Sequence, residues 1–339
     1  AAHCCGHHAQ MAGIFGAALA LTVPEIAGKL GGQVVFFATP AEEYGEIEFK
    51  NQLREQGKIR YGGGKCELIR TGAFDDIDLC LAHHIQPGDE IQVGSGTGNG
   101  FVSKVIRYLG KAAHAAGAPD KGVNALSAAS LGLQALGLNR ETFRDEDCVR
   151  VHPIITKGGN LVNVIPDEIV IETLVRAKTI EAFTDAAKKT DRSFQAGAVA
   201  MGAKVEITTL PGYLPTLAEQ ALPELKRAAE LAAPEVPVRE AAGHSGGSTD
   251  VGDVQHLMPV YTFNTGGVKG GLHQINFEVT NEEEAYIDTA KMFALAAYGL
   301  LKEKAARSKE LVKNYKPVFK DSAEYTKFME QFDSKEVLD

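Results

Sequence analysis

The stretch IDLCLAHH at residues 77–84 is a short apolar run that ends in two histidines, and it carries the main signal for the fold. An apolar run of this length without alternation is typical of a strand buried on both faces of a parallel sheet. The same character recurs in QVVFFA at 33–38 and in PVYTF at 259–263. Helical stretches such as 11–23 fall between the predicted strands at 33–38, 77–82 and 259–263. This alternation predicts an α/β fold with a mostly parallel sheet.

The middle of the chain has a different order of elements. Its patterning predicts strands at 101–109, 149–156, 169–177 and 204–210 and helices at 123–138 and 179–201. The order β-α-β-β-α-β is that of a ferredoxin-like unit, and α/β features resume after Tyr213. We therefore expect an insertion at 99–212 between a first domain part at 1–98 and a second part at 213–305. The charged tail at 306–339 is expected to form surface helix.

Composition and charge exclude several classes of protein. The formal charge is −9, with 35 Lys and Arg against 44 Asp and Glu, which argues against a general nucleic-acid binder. No apolar run approaches the ~20 residues of a membrane span, so we expect no membrane partner. The five cysteines are an odd number in a long chain, which argues against a secreted disulfide scaffold and favours a reducing, cytoplasmic compartment.

Metal-ligating side chains are concentrated in four short clusters. These are HCCGHH at 3–8, PAEE at 40–43, the His83-His84 pair, and His273 in a glycine-rich loop at 266–273. Thiolate, imidazole and carboxylate groups together suit zinc or a similar divalent ion. Glu42-Glu43 and His83-His84 each follow a predicted strand, where ligands gather in open α/β sheets. The donors exceed the needs of one tetrahedral site, which indicates two metals that share ligands.

Both carboxylates of the Glu42-Glu43 pair have a role in such a site. One can bind a metal, and the other can take a proton from the attacking water and pass it to a leaving amine. Simpler interpretations remain open for each cluster alone. The first cluster could be a tag remnant, the glutamates a solvated helix start, His83-His84 a surface pair, and His273 a structural residue.

Other candidate residues are weaker from spacing alone. His114 is either a surface turn residue or a transition-state donor that reaches across from a second domain or subunit. Arg176 is a solvated charge or a carboxylate clamp, and Asn163 belongs first to a turn signal. The GGSTD run at 246–250 resembles a helix cap, and the glycine-rich run at 94–98 is better suited to a hinge than to a phosphate loop.

Taken together and in this order, the motifs resemble those of the aminoacylase-type dinuclear metallo-amidohydrolases. This group includes hippurate hydrolase, indole-acetyl-amino-acid hydrolase and p-aminobenzoyl-glutamate hydrolase. The family patterns His-Ala-Cys-Gly-His, Pro-Ala-Glu-Glu, Gly-x-His and Gly-x-x-Ala-His-Ala are similar to the sequence at 3–7, 40–43, 82–84 and 110–115. The runs at 118–126 and 247–254 resemble the p-aminobenzoyl-glutamate hydrolase and dipeptidase branch. The resemblance extends from His3 to about Leu301.

The resemblance implies a fold, a chemistry and a set of site residues. The fold would be a zinc-peptidase-like catalytic domain with an inserted ferredoxin-like lid and dimerisation domain. The activity would be hydrolysis of an N-acyl or N-aroyl amino acid or a dipeptide, with two divalent ions, Zn or Mn, in a homodimer or higher homo-oligomer. The implied metal ligands are Cys5, His7, Glu43, His84 and His273. Glu42 would be the general base and acid, His114 would act on the oxyanion from the partner subunit, and Asn163 and Arg176 would hold the substrate carboxylate.

Departures from the family pattern raise alternatives. The family's catalytic domain starts before the His-Cys-Gly-His motif, so we expect the sequence to be incomplete at its N-terminus. Cys4 and His8 replace the usual Ala and Asp or Asn and could add ligands, and Tyr44 replaces Gly and could narrow the pocket. The competing hypotheses are a catalytically inactive binding or assembly module and a single structural metal site formed by Cys5, His7 and His84.

Overall fold

The computed structural model describes residues 5–338, which form helices and strands throughout their length. The α-helices are α1 His7–Leu21, α2 Pro24–Ala27, α3 Ile47–Glu55, α4 Gly64–Arg70, α5 Ala125–Asn139, α6 Ile180–Met201, α7 Pro223–Ala232, α8 Val251–Gln255, α9 Thr289–Asn314 and α10 Ser322–Met329. The strands are β1 Cys80–Ile85, β2 Ile91–Val93, β3 Thr97–Gly98, β4 Gly100–Leu109, β5 Arg150–Val151, β6 Ile154–Lys157, β7 Glu168–Ala177, β8 Lys204–Tyr213, β9 Val238–Glu240, β10 His244–Ser245, β11 Val260–Thr265, β12 Val268–Lys269, β13 Glu278–Val279 and β14 Ser334–Leu338. Between residues 5 and 338, none of the helices has the length and apolar character needed to cross a membrane.

The first sheet has the order β1-β11-β2-β9 and combines parallel and antiparallel pairs. β1 runs parallel to β11, from Cys80 opposite Val260 to Ile85 opposite Thr265. β2 is antiparallel to β11 and parallel to β9. Apolar side chains of α1, α7 and α9 form a core with this sheet, with Phe263 at its centre. The predicted mixed α/β architecture with mostly parallel pairing is confirmed.

The strand predicted at 77–82 is shifted toward the C-terminus. It occupies Cys80–Ile85, so His83 and His84 lie inside the strand and do not follow it. The apolar run marked the wrong boundary because pairing with β11 continues through both histidines, and one of them, His83, is buried like the apolar residues.

The strand predicted at 33–38 is wrong. Within the described chain, this segment is extended but forms no ladder with another strand. It lines a cavity of about 600 Å³ together with residues 77–81, α1 and α9. Strands pair at about 4.8 Å, so a segment across a cavity cannot pair with β1. Its apolar side chains are used differently, since Phe37 packs on Phe74 while Val35 is 49% exposed.

The second sheet is antiparallel, has the order β14-β8-β4-β7-β5, and adds β6 on β7. Its elements follow one another as β4, α5, β5 and β6, β7, α6 and β8. Helices α5 and α6 pack on the sheet around the buried residues Tyr108 and Phe194. The single strand predicted at 149–156 is divided into β5 and β6 at His152-Pro153, because proline cannot donate a ladder hydrogen bond. Residues 94–98 lead into this unit and form β3, which pairs with β10.

The C-terminal region is not a surface tail as predicted. The helix predicted to end near 303 is interrupted there, since α9 has non-helical backbone at 302–305. Beyond it, α10 buries Tyr325 and Met329 completely or almost completely. β14 then pairs antiparallel with β8 along its whole length. The prediction failed because the aromatic residues scattered in this charged segment pack into the core.

Two buried aspartates connect α8 to its surroundings. The predicted cap at Asp250 makes no cap hydrogen bond. Its carboxylate instead accepts hydrogen bonds from the Lys65 backbone N at 2.9 Å and from Lys65 Nζ at 2.5 Å. The Asp253 carboxyl accepts a hydrogen bond from the Leu214 backbone N at 3.2 Å and contacts the Tyr325 hydroxyl at 2.8 Å. Asp253 therefore ties the residue after β8 to the C-terminal region.

Burial raises the pKa of Asp253 to about 8, and the neighbouring Asp250 charge also raises it, whereas the Tyr325 hydrogen bond lowers it. The folded state therefore holds a proton that the unfolded chain releases near its ordinary pKa of 3.8. The free energy of unfolding should fall as the pH rises through this window, by at most about 1.4 kcal/mol per pH unit.

We predict that Asp253→Asn removes this pH dependence, because an amide does not titrate. The melting temperature of the variant, relative to that of the unchanged protein, should increase between pH 5 and pH 9. Thermal unfolding followed by circular dichroism at several pH values measures the difference. A difference that stays constant across this range would contradict the protonated state of Asp253.

Candidate metal centre

Cys5 and His7 lie at the start of α1. Gly6 between them has a φ of +85°, in the left-handed region, and a Cβ there would collide with the Ile85 side chain. Glycine therefore allows the chain to turn into the helix directly against the end of β1. His3 and Cys4 of the same motif lie outside the described residues. His8 packs edge-on against Phe277 and Tyr286, outside the groups of candidate ligands that the described residues form.

His84 comes to the same place from β1. Its Nδ1 atom lies 2.6 Å from the Ile85 carbonyl oxygen, which requires Nδ1 to carry the proton. The lone pair on Nε2 is then available, and this atom lies 3.3 Å from Cys5 Sγ. Burial lowers the pKa of His84, which favours the neutral form that binds metals.

His83 points to the opposite face of β1, as successive strand residues do. It is buried, and its Nε2 lies 2.8 Å from Thr265 Oγ1 and 3.3 Å from Thr289 Oγ1. Burial lowers its pKa to about 3, so the ring is neutral at ordinary pH. His83 is therefore a core residue, and only His84 of the pair faces the other candidate ligands.

Glu42 and Glu43 lie in a loop and not at the end of a strand, contrary to the prediction. Glu42 Oε2 is 3.5 Å from His7 Nε2, and Glu43 Oε1 is 3.4 Å from His273 Nε2. His273 has a φ of +61° and its side chain is 61% exposed. Tyr44 does not narrow this region, because its ring packs against Phe101.

The candidate ligands form three overlapping groups whose donor atoms lie within 4.8 Å of one another. The groups are Cys5-His7-His84, Cys5-Glu43-His273 and His7-Glu42-Glu43. Because Cys5, His7 and Glu43 each belong to two groups, the six residues make one connected cluster. One thiol, three imidazoles and two carboxylates are donors that suit zinc and other first-row divalent ions. The residues present therefore fit a pair of metal ions that share ligands.

Arg176 lies near this cluster. Burial lowers the pKa of Arg176, and the charge of Glu43 opposes this effect, so the two side chains are within electrostatic range. The guanidinium donates a hydrogen bond to Ser248 Oγ at 2.7 Å and to His152 Nε2 at 3.1 Å, and lies over the Phe101 ring. The sequence interpretation missed Ser248 and His152, for which position in a glycine-rich turn and beside a proline was the only signal.

His114 and Asn163 lie together but apart from the cluster. The residues on either side of them form a short bridge, in which the Ala115 backbone N donates to the Asn163 carbonyl oxygen at 2.9 Å. Both side chains are exposed. His114 Nδ1 accepts a hydrogen bond from the Gly117 backbone N at 2.9 Å. Within residues 5–338, no hydrogen bond or ion pair joins either residue to the candidate ligands.

Residues 1–298 match the model of Peptidase family M20/M25/M40, and the chain belongs to this family. It is 28% identical to the mouse Xaa-Arg dipeptidase over 323 residues, which are 93% of this chain and 67% of the dipeptidase. It is 26% identical over 231 residues to the indole-3-acetyl-aspartic acid hydrolase of Enterobacter agglomerans, covering 65% of this chain and 48% of that one. It also matches a p-aminobenzoyl-glutamate hydrolase of Escherichia coli strain K12, at 30% identity over 176 residues, covering 52% of this chain and 32% of the hydrolase chain.

Among solved structures, the fold is similar to that of the Bacillus subtilis YXEP protein, a dinuclear metal-binding peptidase of the M20 family. The TM-score is 0.57 at 23% identity, covering 88% of this chain and 73% of that one. The predicted family is confirmed, and so is the prediction of a hydrolase that acts on amide bonds.

Proposed function

We propose that this chain hydrolyses the amide bond of an N-acyl or N-aroyl amino acid or of a dipeptide. The observation that carries the proposal is the connected cluster of Cys5, His7, Glu43, His84 and His273 with the Glu42 carboxylate beside it. The five residues are assigned as ligands of two divalent ions, Zn or Mn. The relatives support the substrate class, since their names describe a dipeptidase, an indole-3-acetyl-aspartic acid hydrolase and a p-aminobenzoyl-glutamate hydrolase.

The bound ions would supply Lewis-acid polarisation of the amide carbonyl and a lowered pKa for water. Glu42 takes a proton from the attacking water as its oxygen bonds to the carbonyl carbon. Glu42 then gives that proton to the amide nitrogen as the C–N bond breaks, so that a carboxylic acid and an amine leave. The position of Glu42, 3.5 Å from His7, supports this role because it lies at the edge of the ligand set.

Substrate orientation is assigned to Arg176 and Asn163. A free carboxylate on the amino-acid side of the substrate would pair with the Arg176 guanidinium, which Ser248 holds by the 2.7 Å hydrogen bond. The proximity of Arg176 to Glu43 supports this assignment, because it brings the clamp within range of the metal centre. Asn163 would contribute an amide donor from the position beside His114.

We assign residues 99–212 to a ferredoxin-like lid and dimerisation domain between catalytic parts at 1–98 and 213–305, with a C-terminal segment at 306–339. A homodimer would let His114 of one subunit stabilise the oxyanion at the partner's metal centre. The edge of the second sheet supports an interface, since Ile154 is 61% exposed and Ile155 is 44% exposed on β6. Unpaired apolar edges are normally covered by another chain or element.

The inactive-module hypothesis is not favoured by the cluster. Loss of catalysis in a relative would be expected to relax the ligand set, whereas five ligand positions and Glu42 converge here. A single structural site formed by Cys5, His7 and His84 would leave the Glu42-Glu43 pair without a role.

We predict that Glu42→Gln lowers kcat by at least about 10²-fold, because the amide cannot shuttle the proton. The metal content should stay at two ions per chain, since Glu42 is not assigned as a ligand. Turnover of N-acetyl amino acids and of dipeptides ending in arginine, together with elemental mass spectrometry, measures both quantities. Glu46→Gln is the matched control, because this exposed carboxyl lies four residues further along the same loop. Full turnover by Glu42→Gln would refute the assigned role.

We also predict that His114→Ala and Glu42→Gln complement each other when the two chains are co-expressed. Each variant alone should be nearly inactive. In a mixed dimer one site has an intact Glu42 and an intact His114 from the partner, so random pairing restores about one quarter of the activity. No recovery, with mixed dimers demonstrated by differently tagged chains, would show that His114 does not act across subunits.

A further inference from the structure

The loop that carries Glu42 and Glu43 is held by its backbone at three consecutive carbonyl groups. The Ala41 carbonyl accepts a hydrogen bond from the Gly64 backbone N at 3.1 Å. The Glu42 carbonyl accepts a hydrogen bond from the Tyr213 hydroxyl. The Glu43 carbonyl accepts one from Lys50 Nζ at 2.7 Å. The donors come from α4, β8 and α3, so three separate elements determine the path of one loop.

The bond from Tyr213 is the one that reaches across from the second sheet. Tyr213 is the last residue of β8, and its side chain is almost fully buried. The contact is reciprocal, because the Tyr44 hydroxyl donates to the Pro211 carbonyl oxygen of β8 at 2.8 Å. The two rings meet edge-to-face at 5.6 Å, and both pack on Phe101 at the start of β4. We call Tyr44 and Tyr213 together the tyrosine clasp.

The glycine run at 62–64 makes room for this clasp. A Cβ at Gly62 would lie 2.7 Å from the Tyr44 ring. A Cβ at Gly63 would collide with the Tyr213 ring, and one at Gly64 would collide with the Pro40 carbonyl oxygen. None of the three has a positive φ, so the requirement for glycine here is close approach and not backbone conformation. A short sequence motif therefore serves the same contacts.

We propose that Tyr213 is a positioning residue for the general base, and that it acts by fixing the Glu42 backbone through the tyrosine clasp. This inference rests on the proposed function of Glu42. Proton transfer requires heavy atoms at hydrogen-bond distance, and a displacement of about 1 Å can cost about 10²-fold in rate. Since Tyr213 ends β8, the clasp also ties the general base to the strand by which the chain leaves the insertion.

The direct test is Tyr213→Phe, which removes the hydroxyl and keeps the ring. Tyr108→Phe is the matched control, because the buried Tyr108 hydroxyl donates to the Phe194 carbonyl oxygen at 2.6 Å inside the second sheet and its helices. We expect kcat to fall about 10- to 100-fold in Tyr213→Phe with KM within about threefold. Tyr108→Phe should lose stability to a similar extent and keep its kcat.

A second readout does not depend on activity. Hydrogen–deuterium exchange at residues 39–46 should be faster in Tyr213→Phe than in the unchanged protein, and unaltered in Tyr108→Phe. Gly63→Ala should accelerate the same exchange by displacing the Tyr213 ring. Gly45→Ala should not, because a Cβ at Gly45 meets no atom within 4 Å.

The outcomes separate the two proposals. Unchanged exchange at 39–46 in Tyr213→Phe, or a kcat equal to that of Tyr108→Phe, would overturn the positioning role and leave the hydrolase assignment intact. Faster exchange with a kcat loss confined to Tyr213→Phe supports the role. If the unchanged protein, loaded with Zn or Mn, hydrolyses none of the amides, the proposed function fails. The positioning role then fails with it, whatever the exchange data show about the loop.

Discussion

The parallel pairing of β1 with β11 is the constraint on which the candidate site depends. Their register, from Cys80 opposite Val260 to Ile85 opposite Thr265, makes both strands end at one edge of the sheet. His84 is delivered there directly, and the loop that carries His273 follows β11. Gly6 allows α1 to begin against Ile85, which brings in Cys5 and His7. Ligands from three distant parts of the sequence therefore converge because two strands share a direction.

The glutamate pair reaches the cluster by a different principle. It lies in an irregular loop, so no ladder of backbone hydrogen bonds fixes its path. Instead, Gly64, Lys50 and Tyr213 each hold one carbonyl of the loop. Carboxylates that bind metals or transfer protons need positions precise to a fraction of an ångström, which loops provide only when neighbouring elements support them. The division between strand-borne ligands and a supported loop explains why the site draws on both sheets.

Much of this could be predicted from local sequence patterns, and the failures have a common cause. The apolar run at 259–263 marked β11, and alternation marked β4, β7 and β8, because burial and pleat are local properties. The segment at 33–38 has the same composition but forms no strand, since strand formation also needs a partner within reach. β1 continued through His83 and His84 for the converse reason, that β11 pairs with them.

The candidate ligands were predictable as a set because their residue types are rare and occur in short clusters. Their support was not predictable. The contacts of Tyr213 and Lys50 with the glutamate loop join elements that are far apart in sequence or that no local pattern marks. The role of Tyr325 in the buried C-terminal region has the same character, because its partner Asp253 lies in another element. Long-range polar contacts leave little trace in composition or periodicity, and the glycine run at 62–64 was the one local sign of the tyrosine clasp.

The central claim is that the six-residue cluster holds a pair of metal ions. Anomalous diffraction from crystals of the protein loaded with Zn or Mn, collected on both sides of the metal's absorption edge, tests it most directly. The account predicts two anomalous peaks about 3.5–4 Å apart, in contact with Cys5, His7, Glu43, His84 and His273. A single peak at Cys5, His7 and His84, or peaks elsewhere in the protein, would contradict it.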